Sequence, residues 1–423
     1  MRHVGLAAGL LMICSQVAAA QFDADIALTY AGHLHATAPR TTERGMRAHV
    51  KFAHDQQDFG LRAEGRIRWN DAYRSPAYSP EARDAYRYSA DWRELYMVTN
   101  VDAWNLSFGL QQVVWGKADN LRVLDQVNPV DFRDFVLPDL NDYRKPVWML
   151  RGNRNIGDWN VELLYLPRFE PTEFARSGSE YAIPLLDPQV LQSVTLLPEK
   201  RPSHSIRNGE LGMQLSRSYE GLDLSLFLFH TRDDNPVFRQ SLQFDAQGNP
   251  FPALQAEYRR QFMSGASVAR SFSNGMVLRA EAAYVPNFTY MVNAGSSDGL
   301  TESPTLTALL GLDYTWRDWL LSAQASDRYI SRWNSNYLVQ KHTPVYTLSA
   351  TGSSLGGRLE SRIALSTFSQ HGDGSWLQLR TTWKPDDHWA YTVGTDFFSG
   401  RRLGLFGQFR DKDRLWLELK YRF

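Results

Sequence analysis

The chain has 423 residues with 46 basic and 46 acidic side chains, and 13% of its residues are aromatic. Balanced charge gives no electrostatic case for nucleic acid as a partner. After the first twenty residues no run of eighteen apolar residues occurs, which excludes membrane-spanning helices.

The N-terminus reads as an export signal. Arg2 and His3 give a short basic start, and Val4 to Ile13 is an apolar run of about ten residues, too short to span a bilayer. Ala18, Ala19 and Ala20 supply a cleavage site, so the mature chain is expected to start near Gln21, with residues 1–20 removed and 21–423 forming one domain. Cys14, the only cysteine, lies inside the signal, and Ile13 before it is not the small residue a lipidation site needs. Cleavage then leaves no disulfide, thiolate chemistry or covalent haem.

From there the signal is period two. In Leu61–Trp69, Arg62, Glu64, Arg66 and Arg68 alternate with Leu61, Ala63, Gly65, Ile67 and Trp69. A strand sends these two sets to opposite faces, whereas a helix would scatter the charge. The same alternation sets Arg47, His49 and Lys51 against Ala48, Val50 and Phe52, and Glu162 against Val161 and Leu163. It returns with Arg279 and Glu281 against Leu278 and Ala280, with Arg358, Glu360 and Arg362 against Leu359 and Ile363, and with Arg380 against Leu379. Trp and Tyr recur at the ends of the apolar faces, where amphipathic rings meet lipid headgroups. Short turns such as 55–58, 100–103, 155–157 and 219–221 alternate with long polar stretches near 70–90, 116–146, 167–207, 231–255, 285–304 and 330–342. That asymmetry is expected of an all-β, up-and-down transmembrane barrel with short periplasmic turns. About nineteen segments look strand-like, and a barrel with both ends in the periplasm needs an even number, so eighteen strands are expected and sixteen come next.

The connection after the fifth strand is too apolar for a solvated loop, with Leu121, Val123, Leu124, Val127, Phe132, Phe135, Val136 and Leu137 all needing burial. Asn128-Pro129 predicts a short helix from Pro129 to about Val136, stopped by Pro138. General porins fold the corresponding loop inward, and by analogy this one is expected to form a constriction or plug carrying Asp119, Arg122, Asp125, Asn128, Asp131, Arg133 and Arg144. The bland alternative is a brace whose ion pairs satisfy only each other. The last strand sets Leu415, Leu417, Leu419, Tyr421 and the terminal Phe423 on one face, closely resembling the C-terminal strand that the barrel-assembly machinery recognises, so Tyr421 and Phe423 are the expected assembly signal.

Gln112-Val-Val-Trp-Gly-Lys, Leu121-Arg-Val-Leu-Asp-Gln-Val-Asn-Pro and Arg144-Lys-Pro-Val-Trp resemble a proteobacterial family of outer-membrane barrels with no assigned function. The resemblance covers about forty residues. It implies an outer-membrane location, and, through genes that neighbour exporters of the resistance-nodulation-division type, periplasmic or exporter partners and traffic of a hydrophobic or lipidic molecule.

Of the 46 basic residues 38 are arginine. Arg62, Arg66, Arg68, Arg279, Arg358, Arg362 and Arg380 are predicted to face the lumen, where guanidinium forks suit carboxylates and phosphates. The competing reading is a lumen of mutually paired charges, since Glu64, Glu94, Glu162, Glu210, Glu281, Glu360 and Glu418 are placed on the same face. Enzyme chemistry lacks a motif: His33, His35, His230, His342 and His371 stand alone, and there is no zinc helix, phosphate loop or dinucleotide fingerprint. Asp233-Asp234-Asn235 and Asp139–Asp142 lack EF-hand spacing. The expectation is a non-enzymatic porin-like channel or transporter for small, anionic or amphipathic to lipidic solutes, without cofactor or metal. Outer-membrane lipid and lipopolysaccharide are expected as surroundings. The alternatives are a plugged barrel for binding or partner-gated lipid traffic and, third, an outer-membrane enzyme.

Overall fold

The computed structural model describes residues 20–423 except 36–38, 58, 119–120, 136, 138–139, 184–193, 294 and 369–373, so residues 1–19 of the expected export signal, Asp119 and His371 lie outside the described residues. Eighteen antiparallel strands form one closed sheet. In chain order they are β1 (Ala20–His33), β2 (Thr41–Asp55), β3 (Phe59–Asn70), β4 (Tyr88–Val101), β5 (Trp104–Gln111), β6 (Val147–Ile156), β7 (Trp159–Leu166), β8 (Glu210–Tyr219), β9 (Leu222–Arg232), β10 (Arg260–Ser271), β11 (Met276–Met291), β12 (Leu300–Trp316), β13 (Trp319–Ile330), β14 (His342–Ser354), β15 (Leu359–Phe368), β16 (Gly374–Trp383), β17 (Trp389–Ser399) and β18 (Arg414–Arg422). Each pairs with its neighbour in sequence, and β1 pairs with β18 from Asp25↔Arg422 to His33↔Arg414, leaving no sheet edge.

The alternation sorts the wall. In β9, Ser225, Phe227 and Phe229 are buried while Leu224, Leu226 and Leu228 are exposed. Exposed Val50, Ile67, Met97, Phe108, Leu310, Leu348 and Leu417 continue an apolar belt on the outer face. Such a belt costs too much free energy in water and is at home in lipid. Trp69, Trp92 and Trp148 flank the belt at the long-loop end, and Tyr219, Trp316 and Trp389 at the short-turn end. The turns at Glu220-Gly221 and Arg317 need positive φ, which a two-residue connection imposes.

Two expectations fail here. Residues 285–304 are mostly strand: β11 and β12 run long, with a bulge between Val285 and Phe288 that accommodates Pro286. No helix forms from Pro129. Val130 bridges to Arg144, and Asp131–Phe132 pairs in parallel with Glu173–Phe174, so long-range backbone partners replace local helical ones. Among the described residues the α-helices of the outer loops are α1 (Pro80–Tyr86), capped by the Ser79 side chain, and the single turn α2 (Leu140–Tyr143). Thr195–Lys200, Val237–Phe244 and Pro250–Glu257 form a small separate sheet above the barrel.

Candidate functional site: the inward loop and the cavity beside it

Loop 3, residues 112–146, leaves β5 and returns as β6. Its apolar residues Val113, Trp115, Val123, Leu124 and Val127 pack on Met149, Leu164, Phe227, Phe229, Met263, Val285 and Leu309 of the inner wall. Two wall glycines make sockets: a Cβ on Gly212 would lie 2.5 Å from the Trp115 ring, and one on Gly265 would collide with the Leu124 side chain. Trp115 Nε1 donates to Glu162 (2.7 Å), whose other oxygen holds Arg151.

The sequence-predicted residues divide into two groups. Glu281 is no free lumen charge: its carboxylate accepts the backbone N–H groups of Lys117, Ala118 (2.9 Å) and Leu124 (3.4 Å), anchoring loop 3 to the wall. Asn128 is fully buried, accepts from Val113 N (2.7 Å) and donates to Gln111 O (3.1 Å) and Lys145 O (2.8 Å), so it staples both ends of the loop instead of capping a helix. Asp125 lies between Arg122 (3.1 Å) and Arg144 (2.8 Å), and Arg122 also donates to Asn128 O (2.7 Å). These five brace the loop. Elsewhere on the wall Arg62 pairs with Asp55 (2.7 Å), Glu64 with Lys51 (3.3 Å), Arg279 with Asp313 (2.5 Å) and Glu360 with Lys384 (3.1 Å), while Arg362 stands opposite Arg380 in register.

Asp131 and Arg133 belong to the second group. They line a cavity of about 1250 Å³ between loop 3 and the strands β1–β3 and β16–β18, reaching from the outer loops to the turns at Arg358 and His388. Its strand wall carries seven basic side chains (Arg47, Arg66, Arg68, Arg380, Arg414, Lys420, Arg422) against Glu43 and Glu418. Loops 3 and 4 present Asp131, Asp134, Asp142 and Glu180 against Arg133. The facing charges meet: Arg68 reaches Asp134 (3.3 Å) and Asp131 (3.7 Å), and Asp142 lies 3.8 Å from Arg66 and 3.9 Å from Arg47. Burial alone would raise Asp131, but the hydrogen bonds and charge of Arg133, with Arg68 behind, hold its carboxyl at about 2. Asp142 is likewise lowered, burial being outweighed by Arg47 and Arg66.

At the outer mouth Glu180 of loop 4, residues 167–209, ties four segments together. Its carboxylate meets His33 of β1 (3.1 Å), Tyr78 Oη of the β3–β4 loop (2.9 Å) and Lys412 of the β17–β18 loop (3.2 Å). Beside it Phe135 of loop 3, at φ 54°, packs against Phe398, Phe406 and Phe409. The alternation placed Arg47 and Glu418 on charged strand faces without singling them out; Glu180 sits in an irregular loop with no periodic signal to mark it. The isolated histidines find separate partners: His35 with Asp413 (3.0 Å), His342 with Asp327 (2.6 Å) and His230 with Arg260 (2.9 Å). Tyr421 packs on Trp389 and Phe423, and Phe423 N donates to Ala24 O (3.0 Å) beside the barrel seam.

Solved structures of similar fold include proteins of the bacterial outer membrane. The chain is similar to OccAB4 of Acinetobacter baumannii (TM-score 0.56, 8% identity, 96% of this chain and 99% of that one). It is also similar to the outer-membrane protein OpdK of Pseudomonas aeruginosa (0.53, 10%, 96% and 100%) and to OccK5 of the same organism (0.52, 12%, 97% and 99%). At such identities the likeness is one of fold, and it agrees with the closed wall and apolar belt of a protein of the outer membrane. No curated protein matches the chain. The family model described as "Protein of unknown function (DUF1302)" matches residues 17–369, and the chain belongs to that family.

Proposed function

We propose that the protein is a porin-like, non-enzymatic channel whose solute path is the polar cavity beside loop 3, and that it favours small solutes bearing an anionic group. The observation that carries this reading is the separation of charge across the cavity, with arginines on the strand wall and carboxylates on the loops. Guanidinium forks replace water around a carboxylate or phosphate, and the opposing carboxylates orient a polar solute as it passes.

The test is conductance of the refolded protein in a planar bilayer under a salt gradient. Stable unitary steps with a reversal potential on the anion side are expected, and Arg66→Ala with Arg68→Ala should move that potential towards cation preference. OpdK has been solved with vanillate, which makes this small aromatic carboxylate a practical blocker to try.

A second reading rests on the ion pairs that join loop 3 to the wall at Arg47, Arg66 and Arg68. They stitch the lumen shut in a plugged barrel opened by a periplasmic or exporter partner. Folded protein that stays silent until residues 118–144 are deleted would favour this reading over the open channel.

A further inference from the structure

On the outer face of the barrel, β9 and β10 end at the long-loop rim with Arg232 directly opposite Arg260. Like charges facing each other across a strand pair repel. Arg260 Nη1 donates to His230 Nε2 (2.9 Å), a neutral acceptor that orients the guanidinium without cancelling its charge. Arg260 Nη2 also donates to the backbone carbonyl of Arg207 (3.2 Å). Among the described residues Arg232 and Arg260 form no salt bridge: Arg232 donates to Tyr258 O (3.2 Å) and Asn208 Oδ1 (3.0 Å), neutral acceptors that leave its charge uncompensated. The neighbouring carboxylate, Glu210, is buried on the inner face and accepts the backbone N–H of Arg232 (2.9 Å).

Immediately below this cluster lies an apolar groove of about 700 Å³ on the lipid side, lined by Leu150, Leu163, Tyr165, Leu211, Leu228 and Phe262. His230 is at its upper edge and Gly152 lowers its floor. Cations at the rim above a greasy groove match one amphiphile of the outer leaflet, a phosphorylated glycolipid. We propose that Arg232 and Arg260 bind a phosphate of lipopolysaccharide while one of its acyl chains fills the groove. An anion between the arginines turns their repulsion into two charge-assisted contacts, and a chain along the groove covers apolar surface. The site is on the opposite side of the wall from the solute cavity and stands whether or not that cavity conducts.

The experiment uses the full mature chain, folded in detergent and titrated with bisphosphoryl lipid A, with retention read by native mass spectrometry. Arg232→Gln/Arg260→Gln should weaken retention at least tenfold, while Arg217→Gln at the opposite rim should leave it unchanged. Removing the lipid's phosphates should weaken binding to wild type similarly. If the double variant does not refold, Arg260→Gln alone is read against the same control. Equal retention by the arginine variants, or equal binding of phosphate-free lipid, overturns the proposal. So does inorganic pyrophosphate binding as tightly as the lipid, which would mark an anion site indifferent to the acyl chain.

Discussion

Glu180 shows how one carboxylate can hold a loop system together. Burial opposes its charge, yet the hydrogen bond from His33, the charge of Lys412 and the Tyr78 hydroxyl bring its carboxyl down from 4.5 to about 2. A depressed carboxyl stabilises the folded state above its unfolded value, and that contribution, on the order of 3 kcal/mol, is lost as the pH falls through the folded value. The outer loops should therefore resist pepsin at pH 5 and become cleavable near residues 176–183 as the pH approaches 2. Glu180→Gln should be cleaved quickly across the whole range, and a variant as resistant as wild type at pH 5 would deny the latch. Residue roles were the part least legible in sequence. Glu281 and Arg66 look identical on an alternating strand, but one caps loop backbone and the other spans to Asp91 and Asp142. Which role a lumen charge takes depends on the loop that descends onto it, and that is a long-range contact.

At the scale of elements, loop 3 is fixed by two unlike surfaces, an apolar one towards β6–β12 and a charged one towards β2–β3. Its apolar residues announced burial in the sequence, but their partners were hidden on inner strand faces where Phe227 and Phe229 replace the usual polar residues. The Asn-Pro pair suggested a helix because its signal is local. The side chain of Asn128 satisfies three backbone groups from both ends of the loop, and no local rule foresees that. Trp115 is the largest fixed point, 1% exposed and seated on Gly212. Trp115→Ala should cost about 3–5 kcal/mol of the loop's docking, the range for emptying a buried aromatic site. The barrel itself should persist. Cleavage within loop 3 by added protease should rise at least tenfold while the shift in gel mobility between unheated and heated samples stays intact. Gly212→Val should reproduce the effect by filling the socket, and loop 3 remaining protected in both variants would mean that the ion pairs alone hold it.

For the whole molecule, closure is the property that counts most, and it was the most legible. Period-two faces, short turns and the final Leu415–Phe423 alternation each follow from the same demand, that no backbone polar group meets hydrocarbon unpaired. The strand total, fixed at eighteen by pairing around the ring, needed only parity and turn spacing to be expected. Closure and assembly can be separated experimentally at the seam. Deleting residues 414–423 removes nine register pairs with β1 and the partner of β17 as well. Two strand edges would then face lipid, each unpaired group costing several kcal/mol, so no heat-modifiable barrel should form in cells or in refolding. Phe423→Ala keeps those register pairs and removes a mostly exposed ring at the chain end, whose ring contact is with Tyr421. On the proposal that the assembly machinery reads the terminal aromatic before the barrel exists, it should refold in vitro with an unchanged urea midpoint and yet accumulate less in the outer membrane of cells. If the substitution lowered stability in vitro as much as it lowered assembly, Phe423 would be a packing residue of the seam and not a recognition signal.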